Sequence, residues 1–341
     1  MNGDVTLEEI VGWLRTPASE RERLYQRADE TRRAHMGDAV PLRGIIEFSN
    51  LCANDCLYCG LRRSNVGLRR YTIAPDEILD IARPMAGWGQ MTVVLQSGEA
   101  PSPSGDRALG ELIVRLKRET PLAVTVSVGN RPRDVYAYWR ACGMDRYLLR
   151  FETSAPDLYR RLHGGSLDER LACLESLRGL GVQIGSGFMI GLPGETHERL
   201  AENILQCRRL DLDMIGIGPY IPNPATPMGR EPNAWASDPD MFFVALAALR
   251  LANPDAHIPA TTAFGVVFPR RGRELALRRG ANVFMPNSTP GRYRRDYQLY
   301  PDKPGVDEEA DECAARVAQW LHALGRDVAR GPGDSLRRGS A

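Results

Sequence analysis

Lysine is almost missing from this chain of 341 residues: Lys117 and Lys303 are the only two among 44 basic side chains. We read that as a coding bias toward arginine and give it no structural weight. Net charge is missing as well. With 44 basic and 43 acidic side chains the balance is +1, so no basic field advertises nucleic acid and no acidic tail is present. No apolar run approaches the roughly 18 residues that a bilayer span requires. The opening Met1-Asn2-Gly3-Asp4 lacks the basic-then-apolar layout of a secretory signal. These absences predict a soluble, cytoplasmic protein with neither membrane nor nucleic acid among its partners.

What is present begins with cysteine. There are seven, an odd number, and three lie within the segment 52–59. A secreted disulfide framework is a poor fit to that pattern; in a reducing compartment, clustered cysteines more often bind metal. Cys142, Cys173 and Cys207 each fall inside a helical pattern and read as buried, inert thiols. The apolar fraction of 43% supports a substantial core, and the length suits one large α/β barrel or two ordinary domains.

Two helical segments open the chain. Leu7, Ile10, Val11 and Leu14 recur at helical spacing, and residues 21–35 form a charged amphipathic stretch. After about residue 40 one pattern repeats: a short β-rich apolar run, a polar loop, an amphipathic helix. The runs fall at 44–50, 91–97, 123–129, 147–153, 183–191, 214–221, 258–264 and 282–287. Helices are predicted from Pro75, where proline and two acids suit a first turn. Another follows the Ser166-Leu167-Asp168-Glu169 capping box, and others lie near 107–119, 132–142, 196–210, 239–252, 270–279 and 307–324. Apolar runs alternating with helices predict a parallel sheet. Eight βα units closing on themselves make a (βα)8 TIM barrel; six would leave it partial, and a doubly wound open sheet is the alternative. The expected division is a helical extension over 1–40, the barrel over 41–327 and a disordered tail over 328–341, Gly/Ser/Arg-rich from Gly331. Both ends read as expendable.

The densest signal is Ser49-Asn50-Leu51-Cys52-Ala53-Asn54-Asp55-Cys56-Leu57-Tyr58-Cys59-Gly60. It follows the first predicted strand directly, which in a barrel puts Cys52, Cys56 and Cys59 on the catalytic face. A structural zinc site would want a fourth ligand, and no Cys or His follows at finger-like spacing. Three thiolates on a four-iron cluster leave one iron open for a chelating ligand.

The Cys-x3-Cys-x2-Cys spacing, its position and Tyr58 resemble the radical S-adenosylmethionine (SAM) superfamily. The resemblance implies one 4Fe–4S cluster whose open iron is chelated by SAM. Its reduction gives a 5′-deoxyadenosyl radical, with a reductant such as ferredoxin or flavodoxin as partner. Strand two ends Ser97-Gly98-Glu99, similar to the superfamily's Gly-Gly-Glu; the glycine lets backbone approach a ligand and Glu99 would accept the SAM ammonium. In the run Leu149-Arg150-Phe151-Glu152-Thr153, strand alternation puts Arg150 and Glu152 on one face and Phe151 on the other. The family places a ribose-binding polar residue at Glu152 and a SAM-carboxylate arginine at Arg170; an internal Glu152–Arg170 salt bridge is the plain alternative. The glycine-rich run from Ser186 to Thr196, with Met189, resembles the adenine-contacting strand.

Longer stretches resemble the HydE-like maturases of FeFe hydrogenases: 44–50, 95–99, 213–219, 258–263, 285–287 and 297–301. Methylornithine synthase and biotin synthase share the barrel and cluster. The resemblance implies a cysteine-bound iron carbonyl–cyanide substrate, other hydrogenase maturases as partners, and a cavity wall including Thr125, Arg150, Met214, Thr261, Thr262 and Tyr297. Thr and Tyr hydroxyls with an arginine suit an anionic small molecule. Where many HydE proteins place three C-terminal cysteines for a second cluster, this chain has Gly305, Cys313 and Arg316, so one cluster is expected. It also has Phe151 and Asn130 where relatives often carry His and Glu. Two other readings stay open: a radical SAM mutase or synthase acting on an amino acid, and a non-catalytic carrier of iron–sulfur or zinc.

Overall fold

A computed structural model describes residues 5–303 and 310–337. Six strands form one all-parallel sheet in the order β1 (Leu42–Ser49), β2 (Gln90–Ser97), β3 (Ala123–Ser127), β4 (Arg146–Leu148), β5 (Gln183–Ser186) and β7 (Met214–Ile215). Single parallel bridges continue past β7: Met214 to His257, Pro259 to Val283, and Phe284 and Asn287 back to Leu42 and Ile45. Backbone hydrogen bonds follow the same path, from Ala260 N to Val283 O at 2.9 Å and from Ile45 N to Pro286 O at 2.8 Å. The ring of eight positions therefore closes, and the fold is a TIM barrel.

Positions seven and eight differ from the sequence expectation. Both are extended segments held by isolated bridges, not laddered strands. The expected strand over 258–264 ends early because the chain turns at Thr261 into the helix Thr262–Val267. The runs at 183–191 and 214–221 each divide in two, giving the small upper pair β6 (Met189–Ile190) and β8 (Gly218–Pro219). Gly187 explains the break: at φ +152° its missing Cβ would sit 1.9 Å from Gly216 O, so two backbones touch where side chains would normally separate them.

Most predicted helices are present, including Pro75–Ala82, Pro103–Glu119 and Arg133–Ala141. Ser166 caps Leu167–Gly179 through Asp168 N at 3.2 Å, one residue earlier than a capping box requires. Sequence reading missed the helix Pro156–His163, which carries a residue of the site.

Both ends pack on the barrel over their described parts. Helix Met241–Ala252 is apolar on nearly every face and buried along almost its whole length, a pattern that needs cover all round. Arg21–Met36 supplies part of that cover, with Tyr25 donating to Asp240 at 2.7 Å, while Leu7–Leu14 packs on His197–Arg209 and on Met241–Ala252. The tail is ordered over its described part, contrary to the expected disorder. Val328 bridges Val40, and residues 332–335 then cross the N-terminal end of the barrel. There Pro332 O accepts from Thr92 and Arg146 at 3.0 and 3.1 Å, and Gly333 O accepts from Arg43 at 2.8 Å. Arg43 and Arg146 are buried, and the tail's carbonyls with the Asp334 carboxylate supply acceptors they would otherwise lack.

Candidate active site

At the opposite end, above the C-termini of the strands, lies a cavity of about 350 Å³. The loop after β1 forms one wall. Cys56 is buried, and Cys52 and Cys59 are half-buried facing the same space. Backbone bonds fix this loop at three places: Ala53 N donates to Glu99 O at 2.7 Å, Leu57 N to Leu162 O at 2.9 Å and Gly60 N to Leu299 O at 3.0 Å. Arg70, which sequence reading passed over, donates to Asn50 O, Leu61 O and Arg62 O at 2.7, 2.9 and 2.6 Å, stapling both ends of the loop together.

Burial and their mutual proximity push the thiol of Cys59 up to about 12 and that of Cys56 higher still. Such thiols give up their protons only to a strong cationic partner. Among the described residues no three of His, Cys, Asp and Glu converge as a cage for a single metal ion. A four-iron cluster distributes three thiolates over three separate irons. The donor set fits the cluster.

β2 supplies the next wall. A Cβ on Gly98 would lie 2.2 Å from Leu51 O and 2.9 Å from Cys52 Cβ, so only glycine lets the cysteine loop sit this close. Ser97 turns its hydroxyl onto Gly98 O at 2.7 Å. The Glu99 carboxylate meets Arg170 at 3.4 Å. Arg170 also donates to the Tyr159 hydroxyl at 2.8 Å and to His163 Nε2 at 2.7 Å. Burial works against its charge, but Tyr159 and Glu99 outweigh that and hold the guanidinium charged. His163 is pushed down to about 4, by burial first and then by Arg170. It is therefore neutral near pH 7, accepting at Nε2 and carrying its proton at Nδ1. The missed helix Pro156–His163 is what brings Tyr159 and His163 here.

Glu152 pairs with Arg150, not with Arg170 as the plain alternative has it. Arg150 Nη2 lies 3.0 Å from Glu152 Oε2, and Glu152 has the left-handed φ of +61°, uncommon for a residue with a side chain. Burial raises the Glu152 carboxyl, opposed by Arg150 and more distantly by Arg170. Phe151 turns away into the core against Phe188, as alternation predicted.

Met189 lines the cavity beside Tyr58, whose phenol burial raises far above its ordinary value. Thr261 donates to Ile217 O at 2.9 Å, Thr262 shares a 2.6 Å hydrogen bond with Tyr300, and the buried Tyr297 hydroxyl accepts from Gln96 at 3.2 Å. Arg150, Met214, Thr261, Thr262 and Tyr297 all face the cavity. Thr125 does not. It lies below, buried beside Arg43 and Arg146 in a separate small void whose wall Met214 shares. Tyr300, Glu47, Asn287 and Lys303 line the cavity and were not singled out from sequence, because nothing local marks them. Gly305 and the Cys313 side chain fall outside the described residues.

The Radical SAM superfamily profile matches residues 46–207, and the fold and site are those of a radical SAM enzyme. The family has a 4Fe–4S cluster and SAM as its cofactors. Among proteins, the chain is 45% identical to the [FeFe] hydrogenase maturase subunit HydE of Thermotoga maritima, over 93% of this chain and 89% of that one. Among structures, methylornithine synthase (PylB) superposes with a TM-score of 0.83 at 25% identity, covering 96% of this chain and 95% of that one. The maturase HydG of Carboxydothermus hydrogenoformans shares the fold at a TM-score of 0.81 and 22% identity, over 95% of this chain and 75% of that one. The chain thus belongs to the radical SAM superfamily and, within it, to the HydE family. Among the described residues no helix is long and apolar enough to cross a membrane.

Proposed function

We propose that the chain is a HydE-type maturase acting in FeFe-hydrogenase assembly, with a single 4Fe–4S cluster held by Cys52, Cys56 and Cys59. When bound, the reduced cluster and SAM together supply a 5′-deoxyadenosyl radical. Glu99 receives the SAM ammonium, and Arg170, fixed by Tyr159 and His163, receives its carboxylate. Gly98 and Ser97 present backbone to the methionine end. Glu152 faces the ribose, and Met189 and Tyr58 enclose the adenine. Arg150, Thr261, Thr262 and Tyr297 position an anionic iron complex at the far wall. One cluster is proposed because Gly305, Cys313 and Arg316 contribute one thiol between them. A low-potential electron carrier such as ferredoxin or flavodoxin is the partner that reduces it, in the cytoplasm, where other hydrogenase maturases handle the product.

The observation that carries this reading is convergence. Three thiols, the Glu99–Arg170 pair and a wall of hydroxyls with Arg150 meet on one cavity. Identity of 45% along nearly the whole chain supports the maturase assignment over the mutase. The test is anaerobic. Reconstituted protein is reduced with SAM and a cysteine-bound iron carbonyl–cyanide complex, beside Cys56→Ala. An adenosylated product from the wild type alone is expected. 5′-Deoxyadenosine without that product, together with deuterium transfer from a labelled amino acid, would replace the maturase with the mutase reading. Bound metal without any SAM cleavage would leave the carrier.

A further inference from the structure

One of the two lysines is buried in the wall of the cavity. Lys303 hydrogen-bonds Glu47, with side chains 8% and 3% exposed. Glu47 projects from β1; its second carboxylate oxygen accepts from Asn287 Nδ2 at 2.9 Å. The Lys303 ammonium lies 5.1 Å from the centre of the Tyr297 ring. All four residues line the cavity. Lys303 reaches Glu47 because the preceding segment is strapped across the mouth: Leu299 O accepts from Gly60 N and from Asn223 Nδ2 at 3.0 and 3.1 Å.

A buried ion pair adds little stability over apolar residues of the same volume. Its position at the edge of a ligand-sized space calls for another account. An ammonium has three donors and a carboxylate about four acceptor sites. Among the described residues Lys303 uses one donor on Glu47 and Glu47 takes two donors, so both retain capacity toward the cavity. A lone anion or a lone amine would satisfy one member and bring an unbalanced charge inside. A zwitterion satisfies both, placing its carboxylate on Lys303 and its ammonium on Glu47, with every charge facing an opposite one.

We infer that Glu47 and Lys303, with Asn287, form a subsite for the α-amino-acid end of the substrate. Arg150, Thr261 and Thr262 are then free for the other end. Tyr300 stands between the two, hydrogen-bonded to Thr262 and within electrostatic reach of both Glu47 and Arg150. The inference rests on the proposed radical SAM activity on a small amino-acid-containing substrate and specifies which part of that substrate is read, and where.

The test uses the reconstituted, SAM-loaded holoenzyme and three probes whose thioether sulfur keeps them off the cluster. These are S-methyl-L-cysteine, 3-(methylthio)propionate and 2-(methylthio)ethylamine, titrated anaerobically by calorimetry. S-methyl-L-cysteine is expected to bind at least about tenfold more tightly than either truncated probe. Glu47→Gln should abolish its advantage over the propionate, and Lys303→Met its advantage over the amine. If a single variant fails to fold, the charge-neutral double Glu47→Gln/Lys303→Met, checked by its melt and cluster spectrum, should bind all three probes alike. Equal binding of the probes by the wild type would overturn the subsite, as would a zwitterion preference that survives in the double variant. Failure of the maturase assay with the preference intact would count against the maturase reading alone.

Discussion

Arg150 Nη2 and Glu152 Oε2 lie 3.0 Å apart although only Phe151 separates the two residues in sequence. In a regular strand their side chains would run parallel on one face. Here the left-handed backbone of Glu152 bends one toward the other, and Glu152 also bridges Phe188 on the neighbouring segment. The strain is held by structure on both sides, as occurs where a side chain must be aimed.

Glu152→Gln should keep the fold but leave Arg150 without its charged partner at the cavity mouth. An ion pair of about 1.5 kcal/mol corresponds to a roughly tenfold loss in the rate of 5′-deoxyadenosine formation. Single-turnover assays at saturating SAM would read it; a change of less than twofold would count against any role for the pair.

Arg70→Ala removes four hydrogen bonds to backbone carbonyls, on Asn50 before the cysteines and on Leu61, Arg62 and Asn65 after them. A loss of about 2 kcal/mol or more is expected. The specific sign is in the iron: the variant should release its cluster to a chelator several-fold faster than wild type at temperatures where both remain folded.

Glu195 sits where the chain leaves β6, accepting from Gly191 N at 2.6 Å and Trp235 Nε1 at 3.0 Å. Burial pushes its carboxyl from an ordinary 4.5 up to about 7, against those hydrogen bonds. The folded protein therefore holds this proton more tightly than the unfolded chain. The stability so gained is fully present below about pH 4.5 and is lost as pH rises through 7, up to about 3 kcal/mol. Denaturant melts of wild type and Glu195→Gln should converge at pH 5 and separate by pH 8, with the glutamine variant the more stable.

Ending the chain at Arg330 would strip acceptors from Arg43 and Arg146, both buried. A loss of about 2–3 kcal/mol is expected from uncompensated buried guanidiniums. An unchanged denaturation midpoint would show that the tail only rests on the barrel.

Legibility divided along sequence distance. Cys52, Cys56 and Cys59 share one loop, and their spacing carries the chemistry by itself; Ser97, Gly98 and Glu99 follow a strand that alternation marks clearly. The repeat of apolar run and helix was enough for the barrel. Hidden features depend on residues far apart in the chain. His163 matters through Arg170, Arg70 through the loop ends, and Lys303 through Glu47, 256 positions away. The lysine shortage read at first as coding bias alone; burial against Glu47 gives one of the two a structural place. Thr261 and Thr262 were expected on a strand because they are β-branched, yet they start a helix, since position seven needs only one bridge to close the ring. Composition also misled at the tail, where glycine and serine suggested disorder but exposed carbonyls were what the buried arginines required.

The contact at Gly98 has a consequence for assembly. Cys52 packs directly on that glycine, and Ala53 is tied to the carbonyl of Glu99, so the cysteine loop and Glu99 cannot be positioned separately. A side chain at Gly98 would push Leu51 and Cys52 off the end of β2 and disturb both walls of the cavity at once.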